Sequence, residues 1–154
     1  MGSNDFGDLG VGASPPKSSP FHVVHFGHVE IDGVPLDPDY LVIDSIATGQ
    51  HHVLVQLHAR LSNSTFRNIM VGWGTCRHGE LGPQTADTAI SGVGKGRSKK
   101  SPAFLSIPTV IPVNSHEDKI VSVTLGNQHT VFLGQSGRLY SLGSNRRGQR
   151  AGLG

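Results

Sequence analysis

One phrase occurs three times along the chain, and its spacing constrains the architecture more than any other feature. GSNDFGDLG at Gly2–Gly10 returns as GTCRHGELG at Gly74–Gly82, preceded there by Trp73, and again as GSNRRGQR from Gly143. The opening glycines lie 72 and 69 residues apart, and a second glycine follows five positions later each time, at Gly7, Gly79 and Gly148. A second phrase keeps the same order: ATGQHHVL (47–54) answers TLGNQHTV (124–131), so Gly49 matches Gly126 and His52 matches His129. A third, weaker match sets SPFHVVH (19–25) beside IPTVIPV (107–113). A unit of about seventy residues that repeats in register cannot bury both of its faces alone, so copies must stack on one another.

Between these landmarks the pattern is that of strands. IVSVTL (120–125), TVFL (130–133) and RLYSL (138–142) are short, β-branched or aromatic, and bounded by glycine. Gly134-to-Gly137, GQSG, is a hairpin signal. In the first copy IDSIAT (43–48), HVLVQLH (52–58) and NIMVGW (68–73) fill the same slots, with the turn stretched to ARLSNSTFR and read as a rim loop. The 21 glycines, 9 prolines and only 16% charged residues fit many short elements joined by tight turns. The expectation is an all-β chain of two four-stranded antiparallel blades of an incomplete β-propeller. Residues 1–12 close a preceding repeat, 13–82 form the first blade, and 83–154 form the second, with a basic insertion at 91–101. In this scheme the glycines Gly74, Gly79, Gly143 and Gly148 permit positive φ and close backbone approach where one blade hands over to the next. His52 and His129 start strands, where an imidazole can bond a turn carbonyl.

Few residue groups point to chemistry. His22, His25 and His28 are spaced so that a strand separates them onto two faces, and no metal site is assigned. Cys76 lies beside Arg77 and His78, but neighbours in sequence seldom form a catalytic pair, and the repeat phrase accounts for all three. A lone cysteine makes no internal disulfide, which fits a reducing compartment. SGVGKGRSKKS (91–101) is no phosphate loop, because Ala89 and Gly96 stand where that motif needs glycine and a hydroxyl residue. It reads as a solvated loop whose cations Lys95, Arg97, Lys99 and Lys100 form a candidate partner-binding site for acidic protein or nucleic acid. Arg146, Arg147 and Arg150 add a second basic turn, while Asp37, Asp39 and Asp44 have no spacing that fixes a second acid group near them. No apolar run approaches the roughly 18 to 20 residues that span a bilayer. The first residues also lack the features of a signal peptide, so the expectation is an intracellular protein of the cytoplasm or nucleus.

The pairing of G-x-x-H-[TV] with a downstream W/L-G-S-N-x-x-G-Q/E-L-G resembles the repeat of the regulator of chromosome condensation family, whose members form seven-bladed β-propellers. The resemblance covers both copies apart from their insertions. It departs at GQRAGLG, one residue longer than the pattern, and at Met1, which stands in an aromatic slot. It implies a structural signature without catalytic, cofactor or metal residues, and two blades of a larger ring whose open edge strands invite self-association. Specificity is expected in the rim loops 27–40, 59–67 and 84–104. The leading function is a non-catalytic protein-interaction or scaffold module. The family also implies a second reading, a guanine-nucleotide exchange factor or chromatin-associated regulator of a small GTPase, and no exchange residue maps onto this chain. A third is resemblance to the fungal propeller partner of a small zinc protein in tRNA and diphthamide modification.

Overall fold

A computed structural model describes residues 4–12, 21–82, 104–113 and 118–144. Among them the regular structure is β throughout, and no helix is long and apolar enough to cross a membrane. Eight strands form two antiparallel sheets: β1 (Glu30–Ile31), β2 (Val34–Thr48), β3 (His52–Leu61), β4 (Phe66–Thr75) and β5 (Phe104–Val110) in the first, β6 (Ile120–Leu125), β7 (His129–Gly134) and β8 (Leu139–Gly143) in the second. The neighbours in each sheet follow chain order.

The two sheets have five and three strands where four and four were expected, for two physical reasons. Asp32 and Gly33 both take positive φ, 52° and 79°, the geometry of a two-residue hairpin turn, and so fold Glu30–Ile31 back on Val34–Pro35 as an extra strand. β5 comes from the segment after residue 83 but pairs with β4, opposing Leu105 to Gly74 and Val110 to Val71. Sheet and sequence repeat are therefore out of phase by one outer strand. The stretch expected as a long rim loop at 59–67 is also mostly strand: β3 runs to Leu61 and β4 starts at Phe66, joined by a tight turn in which Ser64 donates to the Leu61 carbonyl.

Both faces of the central strands β3 and β4 are largely buried, whereas β2 is mostly exposed. Val55, Leu57, Ala59, Ile69, Val71 and Trp73 form one core, covered by Val24, Phe26, Val29 and the β1 hairpin. The opposite face contributes Leu54 and Met70 to a second core with Ile120 and the fully buried Phe132 of the second sheet. Strand side chains alternate between faces, which is why consecutive residues Leu54 and Val55 serve different cores. The Gln56 side-chain amide ties the sheets further, donating to the Ile120 carbonyl at 2.6 Å.

Candidate protein-interaction surface

The residues singled out by the repeat build matching junctions in both sheets. The Gly49 amide donates to the His52 carbonyl at 2.8 Å, and the Gly126 amide donates to the His129 carbonyl at 2.8 Å. Each imidazole folds over its glycine, so closely that a Cβ on Gly49 would lie 2.6 Å from His52 Cε1. The ring packs on the turn instead of bonding a turn carbonyl as expected; His52 Nε2 faces the Thr130 hydroxyl at 3.4 Å. Across the ladder His52 opposes Gly74 and His129 opposes Gly143. Both of these glycines have positive φ, 96° and 112°.

The glycine phrases form paired turns of one design. Gly7 and Gly10 donate to the carbonyls of Asn4 and Gly7, as Gly79 and Gly82 do to those of Cys76 and Gly79. The first phrase seats on the first sheet, where Trp73 Nε1 donates to the Asp8 carbonyl at 3.0 Å. The second seats on the second sheet, where Thr130 Oγ1 donates to the Glu80 carbonyl at 2.8 Å. These groups are structural in placement. Cys76 is buried, and desolvation, with the nearby Glu80 charge, pushes its thiol up to about 11, the reverse of an activated nucleophile. Glu80 is fully buried and accepts the His78 amide. His52 is equally buried, and desolvation followed by the charges of His129 and His51 lowers its pKa to about 4. His22 and His25 lie in a segment outside both sheets, His28 donates to the Pro108 carbonyl, and no group of three metal-ligating side chains occurs among the described residues. Lys95, Arg97, Lys99, Lys100, Gly148 and the arginines at 146, 147 and 150 lie outside the described residues.

Two insertions that the repeat does not explain meet on the surface. β3 and β4 are each 10 residues long, against 6 and 5 for their counterparts β7 and β8. The extra length carries His58, Arg60, Phe66 and Asn68, which pair across the strands as His58 with Asn68 and Arg60 with Phe66. The entering segment of β2 brings Asp37 and Tyr40 alongside. Tyr40 meets Phe66 edge-on with centroids 5.2 Å apart, and His58 stacks on Phe66 at 5.7 Å. The Arg60 guanidinium lies 5.6 Å from the Tyr40 ring centroid and is held by Asp37 through Nε at 2.8 Å and Nη2 at 2.6 Å. The Asp39 amide and then Arg60 hold the Asp37 carboxyl below the usual range. An exposed ion pair adds little stability, but this one fixes the guanidinium over the ring. Tyr40, Val42 and Phe66 remain 41%, 49% and 49% exposed.

The repeat model of the regulator of chromosome condensation matches residues 120–149. Prp20p from Saccharomyces cerevisiae superposes with a TM-score of 0.53 at 26% identity, covering 92% of this chain and 28% of that one. The chain carries a regulator-of-chromosome-condensation repeat at residues 120–149 and is similar in fold to part of that propeller. Its two sheets are thus similar to blades of that propeller, and the junction glycines and histidines are repeat landmarks. Human WBSCR16 aligns with a TM-score of 0.47 at 19% identity over 75% of this chain and 25% of that one. Yeast Prp20 bound to Kap60 gives 0.45 at 26% identity over 72% and 22%. The chain therefore spans about a quarter of the length of the solved structures it resembles. A search of the curated proteins returned no match.

Proposed function

We propose that the chain is a non-catalytic β-propeller segment that acts as a protein-interaction module, with Tyr40, His58, Arg60 and Phe66 as its contact surface. The observation that supports this most directly is the convergence of both insertions on one exposed aromatic cluster. Tyrosine and arginine held rigidly at a surface are the residue types that dominate binding energy when a partner desolvates them. The buried His52, Glu80 and Cys76, by contrast, offer no access to a substrate. The structure of Prp20p was described together with its binding to Gsp1p and histones, which favours a protein partner and, as the finer reading, a small GTPase or chromatin protein. We place the protein in the cytoplasm or nucleus on the same grounds, and assign Lys95, Arg97, Lys99 and Lys100 a secondary electrostatic contact.

The test compares the wild-type chain with Tyr40→Ala/Phe66→Ala on affinity resin, alongside a panel of small GTPases loaded with fluorescent GDP. Specific partners retained by the wild type should be lost by the double variant at unchanged melting temperature. An unchanged partner set refutes the surface. Accelerated GDP release would replace the scaffold reading with exchange activity. Changing the four insertion cations to Ala should abolish salt-sensitive binding to nucleic acid or acidic protein.

A further inference from the structure

The exposed cluster on β2, β3 and β4 is rich in hydrogen-bond donors that the fold does not use. Arg60 commits Nε and Nη2 to a single oxygen, Asp37 Oδ2, at 2.8 and 2.6 Å. That is one side of the guanidinium fork, so its far edge, Nη1 and the outer hydrogen of Nη2, has no partner among the described residues. The Tyr40 hydroxyl has none either; its ring contacts are Phe66 and the Arg60 guanidinium. His58 Nδ1 is engaged by Asn68 Oδ1 at 2.9 Å, which leaves Nε2 as the open nitrogen of that ring. Both Asp37 oxygens are in use, since Oδ1 accepts the Asp39 amide at 2.9 Å.

The flat groups form a row. Tyr40 and Phe66 stand at 84° to each other, so their planes bound a right-angled notch, and His58 lies nearly parallel to Phe66, at 14°. Rigid apolar faces flanked by donors fit a ligand that is extended, apolar along its length, and supplies acceptors while needing few in return. A polyproline II segment has those properties: its rings pack on aromatic faces, its carbonyls make no internal hydrogen bonds, and proline has no N–H. A helix fits less well because its carbonyls are already spent, and a β-strand brings N–H groups that this surface leaves unmatched.

Charge narrows the choice further. Arg60 and Asp37 neutralise each other, whereas Asp39 and Asp44, exposed on β2 to either side of Tyr40, have no ion-pair partner among the described residues. The surroundings of the notch are therefore acidic, which attracts a cationic segment and repels an anionic one. We infer that this surface binds a proline-rich segment of a protein partner that also carries a basic residue. Its prolines rest on Tyr40 and Phe66, its carbonyls accept from Arg60 Nη1 and the Tyr40 hydroxyl, and its basic side chain faces Asp39 and Asp44. The inference rests on the interaction-module reading for the surface itself and adds the chemistry of the partner.

The full chain, labelled with nitrogen-15, is titrated with the peptide Ac-RPPPPP-NH2 and followed by NMR at the Phe66 and His58 amides and at Arg60 Nε–H. Saturable shifts should appear at all three, and Ac-RAAAAA-NH2 and Ac-EPPPPP-NH2 should bind several-fold more weakly. Tyr40→Phe removes only the hydroxyl and should weaken the arginine peptide about fivefold, the weight of one hydrogen bond. Asp39→Asn/Asp44→Asn should erase the preference for the arginine peptide over the glutamate peptide. No localised shifts with the proline peptide, equal binding of the alanine peptide, or a charge preference untouched by Asp39→Asn/Asp44→Asn each overturns the inference. Capture of partners by wild type and by Tyr40→Ala/Phe66→Ala judges the surface separately. If that variant loses its partners while the proline peptide fails to bind, the proline assignment falls and the contact surface stands.

Discussion

Gly74→Ala tests whether the repeat glycines are there for close backbone approach. Gly74 sits at φ 96°, a conformation that costs an L-residue about 1–2 kcal/mol. Its Cβ would also collide with the His51 carbonyl oxygen and lie 2.7 Å from His52 Cα, and these are backbone atoms that no rotamer change can move aside. The His51 carbonyl accepts the Thr75 amide at 2.7 Å, so displacing it weakens a hydrogen bond worth about 1 kcal/mol. Strain and the weakened hydrogen bond together come to about 2–3 kcal/mol, and the backbone collision adds to that. Gly33→Ala is the control, because φ is 79° there but no atom lies within 4 Å, leaving a cost of about 1–2 kcal/mol. With a urea slope of about 2 kcal/mol/M, Gly74→Ala should lower the midpoint by more than about 1–1.5 M and Gly33→Ala by about 0.5–1 M. Gly143→Ala should follow Gly74→Ala, since its Cβ would lie 2.6 Å from His129 Cα. Equal midpoints for Gly74→Ala and Gly33→Ala would refute the close-approach argument and leave only conformational strain.

The folded-state pKa of His52 is about 4, below the unfolded value of 6.5, so the unfolded chain takes up a proton first as pH falls and stability drops across that window. Urea titrations from pH 7 to pH 4 should show a loss of about 3 kcal/mol that His52→Gln removes, whereas the lowered carboxyls of Asp37 and Asp118 contribute only below about pH 4. Phe132→Ala, at the fully buried centre of the second core, should cost about 3–5 kcal/mol in the same assay. Cys76 should resist iodoacetamide in native protein at pH 8 and react at the rate of a model thiol in denaturant, as followed by intact mass.

The blades were legible because their chemistry is local. Ile120–Leu125 matched its expected strand end for end, 138–142 came out shifted by one residue as Leu139–Gly143, and the other expected strands lie inside longer observed ones, since alternation and flanking glycines act over a few residues. The Asp32–Gly33 hairpin carried its signal too, an Asp-Gly pair flanked by Ile31 and Val34, but it lay inside what read as an insertion loop. The assignment of β5 to the first sheet was not legible, because pairing across a sheet edge depends on which backbone reaches β4, and nothing in FLSIPTV states its neighbour. The proposed contact surface was half legible. The insertions were evident as departures from the repeat, but the convergence of Tyr40 on Phe66 and of Asp37 on Arg60 follows from cross-strand register, which a one-residue slip would have turned to the other face.

The same geometry explains why repeat and insertion carry different duties. Where a glycine phrase passes from one sheet to the next, its amides and carbonyls are consumed by Trp73, Ser106 and Thr130, and His52 is sealed beneath it. A residue there can change only at the cost of the junction, so those positions hold the two sheets together. The 58–68 extension carries no such debt on its open face: Tyr40 and Phe66 pack on each other and on His58, and changing them leaves the junctions untouched. Recognition can diversify there without unfolding the propeller, which is why Tyr40→Ala/Phe66→Ala should erase partner binding while the melting temperature stays within about 2 °C of wild type, the shift expected for less than about 1 kcal/mol in a domain of this size.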